Sequence, residues 1–116
     1  MEQSKRYDLD CALSIVQQII GGKWKLVLLW YISKEPRRFG EIHRAFPDIT
    51  QAMLTKQLRE LESNGLVHRE IYREVPPRVE YSLTGLGEKF VPILGHMYDW
   101  GEKHSEEIQL KKSENP

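Results

Sequence analysis

The side chains able to carry covalent or metal chemistry are few in this chain: one cysteine, Cys11, and four histidines, His43, His68, His96 and His104. Zinc binding and nucleophilic catalysis need such residues in patterned sets, as in HExxH, paired CxxC or a Cys-His signature. No such pattern occurs, so no metal, no cofactor and no enzymatic activity is expected. His96 and His104 lie about two turns apart on one predicted helix and read as interface or surface residues. Gly85-Leu86-Gly87 lacks the third glycine of a phosphate loop and reads as easing the passage from strand to helix.

A different chemistry is offered by polar and basic residues after Thr50. Projected down a helix of 3.6 residues per turn, Leu54, Leu58 and Leu61 gather into one narrow apolar face. Ala52, Lys56 and Arg59 project on the opposite side, with Gln51 and Thr55 flanking the apolar face near the helix start. A small residue permits close approach, amides and hydroxyls suit base edges or phosphates, and cations suit guanine or the nucleic-acid backbone. An ordinary solvated surface would have the same composition, and on this helix alone both readings stand.

Charge position weighs between them. Seventeen Lys and Arg balance seventeen Asp and Glu, so the chain has no global basic field. From Lys23 to Arg59, however, eight basic residues face three acidic ones, a net of +5 that the rest of the chain offsets. Local positive charge of this kind binds phosphate with an affinity that falls as salt rises, because counterions are released. Lys25, Arg37 and Arg38 are candidate phosphate contacts. Arg73 and Arg78 bracket the segment Glu74-Val75-Pro76-Pro77, from which an arginine can enter a minor groove or hold a phosphate. A surface salt-bridge ladder with Glu74 and Glu80 is the alternative.

The elements that must position these residues follow from periodicity. At 116 residues, with 40% hydrophobic and 29% charged side chains, the chain suits one compact domain. Its expected core is 9–104, with loose ends at 1–7 and 110–116. Ala12, Ile15, Val16, Ile19 and Ile20 mark a first helix that Asp10 caps and Gly21-Gly22 ends. Lys23 to Ser33 is apolar nearly all round and reads as the central helix. Phe39, Ile42 and Phe46 mark a short third helix stopped by Pro47, and Thr50 caps a fourth that Asn64-Gly65 ends. Alternation at Val67, Arg69 and Ile71, and again at Val79, Tyr81 and Leu83, predicts a two-stranded antiparallel ribbon with a stiff tip. Thr84 caps a last helix carrying Leu86, Phe90, Ile93, Leu94, Met97 and Trp100, which Pro92 should kink.

Two short helices on a tight connection followed by a β-ribbon make a helix-turn-helix with a wing. The fold class is therefore mainly α (α+β). The longest apolar run, Leu26 to Ile32, is seven residues, far short of the ~20 that span a membrane. With no apolar segment at the start of the chain, the cytoplasm is the expected compartment.

The stretches IGGKWKLVLLWYI, EPRRFGEIHRAFPDITQAMLTKQLRELESNGLVHREIYREVPPRVEYSLTGLG and YDWGEKH resemble the HxlR-type winged-helix family of bacterial transcription regulators, akin to the MarR group. The match runs from about Cys11 to His104, with GGKW, RRFGEI, the QLRELE helix and VPPRVEYSLT in the family's order. The resemblance implies a homodimer built by the first and last helices, which sets two recognition helices in successive major grooves of a pseudo-palindromic operator. Thr50, Gln51, Ala52, Thr55, Lys56 and Arg59 would read the groove. Val91, Leu94, Met97 and Trp100 would supply the dimer contact, unless they only close the monomer core. A winged helix that pairs proteins without touching DNA is the rival function.

The resemblance bears on Cys11 as well. In several family members a cysteine the same distance before the GGKW-like motif senses oxidants or electrophiles, which implies a thiol switch here. First-turn placement agrees, since the helix dipole favours a thiolate there, although Asp8 and Asp10 oppose it. Many such sensors carry proline after the cysteine where this chain has Ala12, and no second cysteine exists to resolve an oxidised Cys11 within one protomer. An intersubunit disulfide, a mixed disulfide or an electrophile adduct remains open, beside the reading of Cys11 as a small core residue.

Overall fold

The computed structural model describes residues 11–108. Its elements are α1 (Ala12–Ile20), α2 (Lys25–Lys34), β1 (Arg37–Arg38), α3 (Phe39–Ala45), α4 (Gln51–Ser63), β2 (Val67–Tyr72), β3 (Arg78–Leu83) and α5 (Gly85–His104). The expected order of helices and strands is present, and the fold is a winged helix. The expected cap Asp10, the expected loose ends and the first two residues of the expected core lie outside the described residues. Cys11, expected inside the first turn, is instead the residue that precedes it, and its carbonyl accepts from the Ile15 N–H at 3.1 Å.

The central helix α2 begins two residues later than its apolar pattern suggests, after Gly22 turns the chain at φ 99°. Leu28, Leu29 and Ile32 are buried on it and meet Ile42 of α3, Leu54, Leu58 and Leu61 of α4, and Leu94 of α5. Removing each of these side chains from water contributes about 1.5–3 kcal/mol. Phe46 seals the end of α3 against α2, with Trp24 and Tyr31 edge-on to its ring at 6.4 and 5.5 Å.

The wing differs from its prediction by one short strand. Sheet order is β1-β3-β2, all antiparallel, with Arg37 opposite Tyr81 and Arg38 opposite Glu80. Two residues are too few to leave an alternating pattern, so β1 is not legible from periodicity. β2 and β3 pair from Val67 with Leu83 to Tyr72 with Arg78. α5 runs for 20 residues and continues through Pro92.

One junction ties the wing to both long helices. Thr84 Oγ1 accepts from the Gly87 N–H at 3.0 Å and donates to the Gly65 carbonyl at 2.6 Å, while its own N–H donates to the Leu66 carbonyl at 3.0 Å. Gly65 ends α4 at φ 83°, and a Cβ on Gly87 would stand 2.3 Å from the Leu66 carbonyl oxygen. Gly87 is thus required by close backbone approach, beyond the eased passage expected for it. Gly87→Ala should cost about 2–3 kcal/mol in urea unfolding, because the clash is with backbone and not with a movable side chain. An unchanged midpoint would mean that the junction relaxes freely.

Candidate nucleic-acid interface

α4 is built as its helical projection requires. Leu54, Leu58 and Leu61 are at most 1% exposed, and Ala52, Lys56 and Arg59 lie exposed on the other side, with Gln51 exposed and Thr55 half-buried at the flank. Thr50 Oγ1 accepts from the Met53 N–H at 3.0 Å, which fixes where the helix starts. The turn from α3 is held by the buried Ile49, whose N–H donates to the Phe46 carbonyl at 3.1 Å. His43 Nε2 reaches the Ile49 carbonyl at 3.2 Å and clamps α3 to this turn.

The expected phosphate contacts separate into two groups. Lys25 is buried, and its Nζ lies 2.6 Å from Glu60 Oε1, joining α2 to α4. Arg37 stacks 3.8 Å over the Tyr31 ring, donates from Nε to the Tyr31 carbonyl at 3.2 Å and pairs with Glu35 at 3.1 Å. Both were expected at a phosphate, and both are instead taken up inside the fold. Arg38 is exposed, beside a cleft of about 330 Å³ between α3 and the wing tip.

The two wing arginines divide in the same way. Arg78 pairs with Glu80 at 2.6 Å and Glu74 at 2.9 Å and lies 3.9 Å over Tyr72, so the salt-bridge ladder is what the structure contains. The hydrogen bond from Arg78 holds the Glu74 carboxyl below its usual range. Arg73 is exposed, and no ion pair is made by it among the described residues.

Residues expected at a dimer face also separate. Leu94 is buried in the monomer core, because α5 needs an anchor against α2, and Val91 is half-buried. Met97 and Trp100 are 42% and 57% exposed, and Leu13 and Ile15 of α1 are 77% and 53% exposed. Cys11 is exposed and lies outside the core of the protomer. Among the described residues no His, Cys, Asp and Glu cluster could hold a metal, and no single helix is long and apolar enough to cross a membrane.

A profile of HxlR-like helix-turn-helix proteins matches residues 19–109. The chain belongs to the HxlR-like helix-turn-helix family. It is 51% identical over 98 residues to the HTH-type transcriptional regulator YdeP of Bacillus subtilis, covering 84% of this chain and 77% of that one. Among solved structures it is similar to the redox regulator HypR in its reduced form, at TM-score 0.81 and 47% identity over 84% of this chain and 96% of that one. It is also similar to reduced YodB of B. subtilis, at TM-score 0.71 and 30% identity over 82% and 94% of the two chains. This HxlR-like chain is accordingly a transcriptional regulator of the helix-turn-helix type, and the relatives named are regulators rather than enzymes.

Two residues that position the helix-turn-helix of this HxlR-like regulator were not singled out for that role in the sequence. Glu60 could have been found from its i,i+4 spacing to Lys56 and its place on the flank facing α2. His43 carries no spacing signal, since its contact with the Ile49 carbonyl depends on where α3 meets the turn. Lys25 holds the Glu60 carboxyl below its ordinary 4.5 through their hydrogen bond. A lowered folded-state pKa adds stability that is complete above the unfolded value and is lost as pH falls through the folded one. The wild type should therefore lose stability on acidification below about 4.5 more steeply than Glu60→Gln, as read by urea unfolding across the acid range. Parallel curves would show that the pair contributes nothing.

Proposed function

We propose that this regulator binds duplex DNA as a homodimer, with α4 as the recognition helix, and that modification of Cys11 controls binding. The observation that carries the reading is the face of α4: small, polar and basic opposite a fully buried leucine stripe, and started at a fixed point by Thr50. Thr50, Gln51, Ala52, Thr55, Lys56 and Arg59 read the major groove, where the first turns of such a helix meet base edges. Arg38 and Arg73 hold phosphates or the minor groove at the wing. Lys25, Arg37 and Arg78 act by keeping α4 and the wing in place.

The dimer forms through exposed apolar side chains of α1 and α5, with Met97 and Trp100 from the expected set joined by Leu13 and Ile15. Two α4 helices then enter successive major grooves about 34–36 Å apart. Cys11 lies exposed immediately before α1, at the mouth of that same dimer-forming helix. Oxidation joins two Cys11 thiols as a disulfide, or one to a small thiol, with two electrons and two protons passing to the oxidant; an electrophile adds to the thiolate instead. HypR is described as a redox regulator and YodB has been studied after diamide treatment, which supports a thiol switch in this chain.

Titration of a selected duplex, followed by fluorescence anisotropy at several salt concentrations, tests the binding. Affinity should fall steeply and linearly on a log-log plot. Arg59→Ala should cost about 1–3 kcal/mol on the selected site if Arg59 reads a base, and should weaken all sequences alike with a shallower salt slope if it holds a phosphate. Equal affinity would remove Arg59 from the site. A flat salt response of the wild type would favour a protein-pairing module. Diamide should change the binding of the wild type and leave Cys11→Ser unaffected; equal responses would separate Cys11 from control.

A further inference from the structure

Met53 is an apolar side chain in the first turn of α4 that the fold does not use. It is 38% exposed and takes no part in the hydrophobic core, unlike its neighbour Leu54, which is fully buried. On the helical projection it stands about 115° from the centre of the leucine face and about 60° from Lys56. It therefore edges the polar face on the side opposite Gln51 and Thr55. Exposed methionine adds nothing to solubility, and the helix would form as well with Glu or Gln there.

The side chain is also oriented. Gln57, one turn on, donates from Nε2 to the Met53 Sδ at 3.4 Å, and the Gln57 amide is half-buried with its oxygen enclosed and without a hydrogen-bond partner among the described residues. A contact from a restrained amide holds the thioether near the rim of the face. The third residue of a recognition helix lies where base edges are met. In the major groove the apolar feature is the thymine 5-methyl group, and an unbranched, polarisable thioether adapts to such a contact.

We infer that Met53 is a specificity-determining residue whose thioether packs against the 5-methyl group of a thymine in each half-site. The inference rests on α4 being the recognition helix and adds the base type that one edge of it selects. It makes Met53 the apolar reader beside the hydrogen-bonding and cationic ones.

The test is a scan of the selected duplex in which each thymine in turn is replaced by deoxyuridine, which removes only the methyl group. Full-length wild type should lose about fourfold in affinity at one thymine per half-site, and about fifteenfold when both half-sites are changed, the worth of one buried methyl at each. Met53→Ala, which removes the contact from both half-sites at once, should bind the thymine duplex about fifteenfold more weakly and be indifferent to the deoxyuridine. Met53→Leu, which keeps an apolar side chain, should retain the sensitivity. Equal losses for wild type and Met53→Ala at every replaced thymine would overturn the inference, as would a wild type indifferent to every replacement. Those outcomes leave steep, salt-dependent binding to the selected duplex intact, whereas failure of the underlying reading removes that binding altogether.

Discussion

The outward face of α4 and everything placed around it depend on one packed seam, the burial of Leu54, Leu58 and Leu61 of α4 against Leu28, Leu29 and Ile32 of α2. A helix with so polar an outer face has little reason to fold or to stay in one orientation by itself, since most helical stability in proteins comes from the packed face. The seam fixes the rotation of α4 about its axis. Lys25 and Glu60 then join the two helices at the seam's edge with one charged hydrogen bond, and Thr50 with the Ile49 turn fixes where the helix begins. Rotation, tilt and starting point together decide which side chains face outward.

The cations are apportioned by the same logic. Lys25, Arg37 and Arg78 each meet a carboxylate, and the two arginines also cover an aromatic ring, so their charge is taken up within the fold. Arg38, Lys56, Arg59 and Arg73 remain exposed on α3's leading edge, α4 and the wing. A cation already paired can add little to phosphate binding, because its counterion is a side chain that cannot diffuse away. Of the net excess of +5 between Lys23 and Arg59, the charge of Lys25 is taken up by Glu60 beyond that stretch, while Arg37 is already offset within it by Glu35.

Much of the fold was legible because its long elements repeat. The leucine spacing of α4, the Thr50 and Thr84 caps and the alternation of β2 and β3 are local signals, and the structure has all of them. What was not legible depends on partners distant in sequence: β1 exists only because β3 lies beside it, and Gly87 is needed only because Leu66 approaches it. The site shows the same divide. Helical periodicity identified the outward face of α4, but a lysine bound for Glu60 and a leucine bound for the core look the same in sequence as a phosphate contact and a dimer contact. Leu94 and Lys25, offered by the sequence to a dimer and to a phosphate, are buried in the protomer for that reason, and the exposure of Cys11, Leu13 and Ile15 could be known only once their neighbours were in place.

The most direct measurement of whether α4 reads DNA within a dimer is selection of the reduced, full-length protein on randomised duplex DNA, with sequencing of the retained fraction. The expected result is a pseudo-palindromic motif whose half-sites lie one helical turn apart, about 10–10.5 base pairs between centres. No enrichment, or a single asymmetric site bound by one protomer, would contradict it.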